Sequence, residues 1–166
     1  METNQFDIVH TPTKMVLFLS RGSHGWRVIL NENELIHRLQ EISFNNGYKF
    51  EIMPHPTNWT RDTQRSMFHK ASIVIGLHGG SFANIAFSNN NTTIIEINNG
   101  GIWRRDSLCC MAVALQLNYI RFPLKRMSYG SAKIQLTDEQ LNSLSDIVLL
   151  DIQKKKKELN SNLLAE

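Results

Sequence analysis

Short runs of aliphatic and β-branched residues alternate along this chain with longer stretches in which apolar positions recur every three or four residues. Met15 to Leu19 is a continuous apolar run, the pattern of a strand covered on both faces. Ser20 to Arg27 reads as a loop, with Arg21 and Arg27 on either side of flexible glycines. Asn31, with Glu34 three residues on, has the capping-box spacing. Leu35, Ile36, Leu39 and Ile42 then share one face of a helix that Asn45-Asn46-Gly47 stops. Tyr48 to Met53 predicts a second strand, broken at Pro54. Thr60 caps a helix reaching about Lys70. Ile73 to Ile75 predicts a third strand, ended by Gly76, and Ser81 caps a short helix through Phe87. Thr92 to Ile97 and Asn118 to Phe122 predict strands four and five. Between them, Trp103 to Leu117 reads as a helix with Leu108, Met111, Ala112 and Leu115 inward. Lys125 to Leu136 reads as loop. Thr137 and Gln140 form a second capping box, opening a helix that buries Leu141, Leu144, Ile147 and Val148.

Five alternations of strand and helix, joined by short loops, predict a doubly wound, mainly parallel five-stranded Rossmann-like sheet with helices on both faces. The expected division is a lead-in over 1–14, a core over 15–124, and over 125–166 a loop and final helix packing on the same domain. With 166 residues, 42% hydrophobic and 20% charged, the composition suits one globular domain. A net charge of +3 is compatible with an acidic ligand without selecting one. Much of it comes from Lys154 to Lys157, which reads as a solvated helix face, so no nucleic-acid partner is expected. Cys109 and Cys110 are adjacent, which excludes a disulfide framework. No apolar run approaches a membrane span.

Chemistry concentrates at one edge of the expected sheet, because ligands in such folds sit outside the carboxyl ends of the strands. Leu77-His78-Gly79-Gly80-Ser81 joins a strand to a helix start. Glycines permit unusual backbone angles there, and free N–H groups with the helix dipole favour an anion such as a diphosphate. The same residues also describe a plain βα turn with His78 satisfied by a backbone carbonyl, and the local pattern does not choose. The Arg21–Arg27 loop after strand one and Glu96 at the end of strand four come to the same edge. Each arginine reads as a phosphate ligand or a surface ion-pair partner, the latter being favoured for Arg27 taken alone, and Glu96 as a hydroxyl acceptor or a capping or ion-pair carboxylate.

The ordered set resembles glycosyltransferase family 61. Ser20-Arg21, Arg27, Ile29 and Asn31-Glu32 are similar to its serine-arginine, arginine and asparagine-glutamate signature. Gln64 sits where the family has a glutamine. Gly76-x-His78-Gly79-Gly80 with Asn84 resembles its Gly-x-His-Gly-Ala turn and downstream asparagine, with Gly80 in place of the alanine. Ile95-Glu96-Ile97 matches its strand ending in glutamate, and Tyr119 falls where it has a tyrosine.

The resemblance implies a GT-B enzyme of which this chain is the C-terminal, donor-binding half, using a UDP-sugar in an inverting transfer to a protein or glycan hydroxyl. It implies no separate cofactor and no Asp-x-Asp metal motif. Carried over, Arg21 and Arg27 would meet the diphosphate, and Gly79, Gly80 and Ser81 would cradle it with His78 orienting it. Glu96 would accept from the ribose, with Asn84 and Gln64 in support. The family's members include protein O-linked N-acetylglucosamine transferases of the endoplasmic reticulum and plant Golgi xylosyltransferases. The expected compartment is therefore the lumen for a piece of a longer member, and the cytosol for a complete chain. No residue is assigned as general base, and an N-terminal acceptor domain or partner chain would supply the other half of the cleft. The alternative is a non-catalytic nucleotide-binding or interaction module derived from such a domain.

Overall fold

The computed structural model describes residues 14–22, 27–54, 58–98, 106–124 and 132–163. Its centre is strand β1 (Met15–Leu19), buried at all five positions. The strand is covered completely because it has a parallel partner on each side and helices above and below. Its neighbours are β3 (Lys49–Met53) and β4 (Ile73–Leu77), with β5 (Thr93–Asn98) and β6 (Asn118–Pro123) beyond β4. The order is β3-β1-β4-β5-β6 and every pairing is parallel, as the alternation of strands and helices predicts.

The period of two along each strand divides the core. Val16, Phe18, Ile73, Ile75, Ile95 and Ile97 face helices α1 (Glu32–Asn45) and α4 (Asp138–Leu163), meeting Leu35, Leu39, Leu141, Leu144, Val148 and Ile152. Leu17, Leu19, Val74 and Ile94 face the other way, onto α2 (Arg61–Lys70), a 3₁₀ helix (Gly80–Phe87) and α3 (Ser107–Ala114). There they meet Phe68, Phe82, Ile85, Leu108 and Ala112. Among the described residues no helix is long and apolar enough to cross a membrane.

Several local expectations are corrected. Arg27 is not loop: β2 (Arg27–Ile29) pairs in parallel with β7 (Ala132–Ile134), in the stretch expected to be loop before the last helix. Three residues are too few to show a period, so neither strand is visible until the other lies beside it. Helix α3 is shorter than expected, ending at Ala114, with Gln116 at φ 56° and Leu117 N–H donating to the Ala112 carbonyl at 2.9 Å. The expected start at Trp103 lies outside the described residues. Asn31 does not cap α1 with its side chain. Its amide instead closes a two-bond ring with Leu136, donating to the carbonyl and accepting from the N–H, each at 3.0 Å. Two of the other expected caps form: Thr60 Oγ1 accepts from Thr63 N at 3.1 Å, and Thr137 with Gln140 makes both capping-box bonds.

Candidate functional site

Connections from β1 and β4 leave the sheet in opposite directions, since β1 leads to β3 and β4 leads to β5. In parallel sheets this switch point opens a crevice at the carboxyl ends of the two strands. Ser20-Arg21 follows β1 and His78-Gly79 follows β4, so both stand at its mouth.

The loop after β1 is held by Glu32, the first residue of α1. Ser20 Oγ donates to Glu32 Oε2 at 2.6 Å, and the Arg21 N–H donates to Oε1 at 3.1 Å. A carboxylate at a helix N-terminus is itself favoured by the helix dipole, so one residue both opens α1 and anchors the loop. With its backbone pinned, Arg21 sends its guanidinium across the crevice, where Nη2 donates to the His78 carbonyl at 2.9 Å. Among the described residues its side chain forms no ion pair. Burial first, and then the charge of Arg27, lower its pKa. Two cations near enough to repel each other favour an anion beside them.

Gly76 and Gly79 serve space rather than backbone freedom, which corrects the sequence reading. Gly79 has φ 169°, an extended angle open to any residue. A Cβ there would lie 1.1 Å from Arg21 Nη2, so the missing side chain is the seat of the guanidinium. Gly76 does not end its strand. It pairs inside β4 with Leu19 on one side and Glu96 on the other, and a Cβ would lie 2.7 Å from Leu19 Cβ. A Cβ on Gly80 meets nothing within 4 Å, so the space accepts alanine. Ser81 does not cap the helix after the turn. Gly79 holds that position, its carbonyl accepting from Phe82 N at 3.1 Å. Among the described residues the N–H groups of Gly80 and Ser81 have no acceptor, and both residues lie at the surface end of the turn.

Behind the turn lies a polar cluster whose centre is Glu96, only 1% exposed. Its Oε1 accepts from His78 Nδ1 and, at 3.2 Å, from Asn98 Nδ2. Its Oε2 accepts from the Tyr119 hydroxyl. Arg121 stands 3.8 Å from Oε2, donates to the Tyr119 oxygen at 3.2 Å, and is held by Asp106 at 2.7 Å. Burial pushes the Glu96 carboxyl up. The hydrogen bonds from His78 and Tyr119, with the charges of His78 and Arg121, outweigh it and hold the carboxyl below its ordinary value. Burial and the bond to Glu96 push the Tyr119 phenol up to about 12. Both Glu96 oxygens thus accept from protein groups, and the carboxylate is packed behind the turn as the partner of His78.

Asn84 and Gln64 brace the site from behind. Asn84 Nδ2 donates to Gln64 Oε1 at 3.1 Å, and Gln64 Nε2 donates to the Trp59 carbonyl at 3.1 Å, tying the 3₁₀ helix to α2. Sequence reasoning had no role for Glu32 and did not find Asn98, Arg121 or Asp106. The register supplies the signal for Arg121: it pairs with Glu96 across β5 and β6, and Tyr119 two residues earlier shares its face.

A family model described as Glycosyltransferase 61 matches residues 2–95, more than half of the chain. No curated protein matches the sequence. Among solved structures, the fold is similar to a diflavin flavoprotein A3 from Nostoc sp., at 12% identity and TM-score 0.65, covering 90% of this chain and 98% of that one. It is also similar to rubredoxin oxygen:oxidoreductase from Desulfovibrio gigas, at 14% identity and TM-score 0.59, covering 89% of this chain and 37% of that one. A flavodoxin of Streptococcus pneumonia TIGR4 follows, at 13% identity and TM-score 0.50, covering 85% of this chain and 97% of that one. At these identities the likeness is one of fold alone.

Proposed function

The chain belongs to glycosyltransferase family 61, and from that premise we propose that it is a donor-binding domain whose switch-point crevice takes the diphosphate of a UDP-sugar. The observation that carries the reading is Arg21, a half-buried guanidinium seated over Gly79 with a second arginine near it and, among the described residues, no carboxylate paired to its side chain. Guanidinium suits bidentate phosphate contact. The N–H groups of Gly80 and Ser81 add donors on the same side. In an inverting displacement negative charge grows on the departing diphosphate, so cations held in advance at that position lower the barrier. Arg27 supplies the second positive charge from β2. Gly79 supplies room, and Asn84 with Gln64 keeps the turn in place.

The acceptor, a protein or glycan hydroxyl, meets the sugar on the far side of the crevice. In a GT-B arrangement an N-terminal domain or partner chain carries that half. The donor site itself needs only the loops of this sheet.

Calorimetric titration of the chain with UDP tests the reading. Saturable binding is expected, weakened roughly 10- to 150-fold in Arg21→Ala, the equivalent of one hydrogen bond to a charged group at about 1.5–3 kcal/mol. A folded parent that takes up no UDP at millimolar concentration overturns it in favour of a non-catalytic module.

A further inference from the structure

The cluster behind the turn does more than the binding of a diphosphate requires. An ionised carboxylate can only accept hydrogen bonds, and Glu96 also accepts from Asn98 and Tyr119 with the Arg121 guanidinium 3.8 Å away, the surroundings of a carboxylate anion. The bond between Glu96 Oε1 and His78 Nδ1 therefore has its proton on Nδ1. In a neutral imidazole that leaves the lone pair on Nε2. Among the described residues Nε2 has no hydrogen-bond partner. The His78 side chain is 28% exposed, against 1% for Glu96. A buried carboxylate, an imidazole oriented through Nδ1 and an accessible Nε2 make up the acid–histidine half of a catalytic triad, in which the carboxylate sets the tautomer and stabilises the imidazolium that forms.

We infer that His78 is the general base of the transfer reaction and that Glu96 is the residue positioning it; this inference rests on the donor-site reading above. As the acceptor oxygen bonds to the anomeric carbon, its hydroxyl proton passes to His78 Nε2. The bond from that carbon to the diphosphate oxygen breaks, and its electron pair leaves on the diphosphate, beside Arg21. The imidazolium faces Glu96 until it returns the proton to water. Arg21 donates to the carbonyl of His78 itself, so the cation that receives the leaving group and the base that accepts the proton are fixed to one turn. The charged groups around His78 are Arg21 from the loop after β1, Glu96 on β5 and Arg121 on β6, the last neutralised by Asp106.

Multiple-bond proton–nitrogen NMR of the chain at about pH 8.5, above the ordinary histidine range, reads the tautomer directly, with His78→Gln assigning the signals. The Nδ1–H form is expected. It should give way to Nε2–H in Glu96→Ala and return in Glu96→Gln, which keeps an acceptor for Nδ1. Titration with UDP separates base from ligand: His78→Gln should bind UDP within about threefold of the parent. UDP release from a UDP-sugar by the full-length protein should fall about 10²- to 10⁴-fold in the same variant, the contribution of a positioned base. An Nε2–H tautomer in the parent, loss of UDP binding in His78→Gln, or undiminished UDP release overturns the assignment of the base alone. A parent that binds no UDP overturns the donor site, and the base falls with it.

Discussion

Replacing Gly79 by alanine isolates what the glycine turn contributes, because the effects at three neighbouring glycines diverge. At Gly79 the new methyl carbon would sit 1.1 Å from Arg21 Nη2 and 2.3 Å from Cζ, so the guanidinium must leave. The backbone angle there is extended and adds no strain. Arg21 is the end of a flexible chain and can swing into water, so the stability lost is a partly exposed hydrogen bond of about 1 kcal/mol. For a domain of this size that lowers Tm by about 2–4 °C. The loss of UDP affinity should be larger, roughly the 10- to 150-fold expected for Arg21→Ala, since the cation is displaced from the anion's position. Gly76→Ala should behave in the opposite way. Its methyl carbon would lie 2.7 Å from Leu19 Cβ and 2.9 Å from the Leu19 carbonyl oxygen, inside a paired strand that cannot yield, at a cost of about 1–3 kcal/mol. Gly80→Ala, with nothing within 4 Å, should stay within about 0.5 kcal/mol of the parent and bind UDP normally. Thermal melts and UDP titrations of the three variants give the comparison. Unchanged UDP affinity in Gly79→Ala, or an equal loss in Gly80→Ala, would refute the argument that Gly79 exists to seat Arg21.

Two further predictions concern the supports of the site. Asn31→Ala removes both bonds to Leu136, which join residues 105 apart in the chain, and should cost about 1–3 kcal/mol, read as a lower urea midpoint with an unchanged slope. Glu96 has a folded-state pKa below its unfolded one, so its contribution to stability is present above the ordinary glutamate value of about 4.3 and is lost as pH falls through the depressed one. Glu96→Gln should accordingly lose stability at neutral pH and show a shallower decline below that value; an acid-unfolding curve as steep as the parent's would exclude Glu96 as a source of the slope.

The alternation of strands and helices, the two parallel-strand core runs at Met15–Leu19 and Ile73–Ile75, and the placement of Arg21, His78 and Glu96 at one sheet edge were all legible in the residues. Such features rest on local periodicity and on the rule that parallel strands aim their carboxyl ends the same way. The ordered family signature added the chemistry proposed for those positions. What the residues did not disclose is which side chains meet. Asn31 and Glu34 have capping-box spacing, yet Asn31 is drawn to Leu136 because β2 and β7 bring that segment alongside. Glu32, one position from the expected cap, becomes the anchor of the Ser20-Arg21 loop. Gly76 and Gly79 looked alike as turn residues, and only the approach of Leu19 to one and Arg21 to the other separates their roles. Glu96 reads locally as a hydroxyl acceptor or an ion-pair carboxylate at a strand end, with no partner named. Strand register sets Arg121 across from it and, with the fold of the turn, gives its oxygens to His78, Asn98 and Tyr119. Periodicity is a property of a segment; a hydrogen bond between residues far apart in sequence depends on register and crossing geometry, which exist only once the chain is packed.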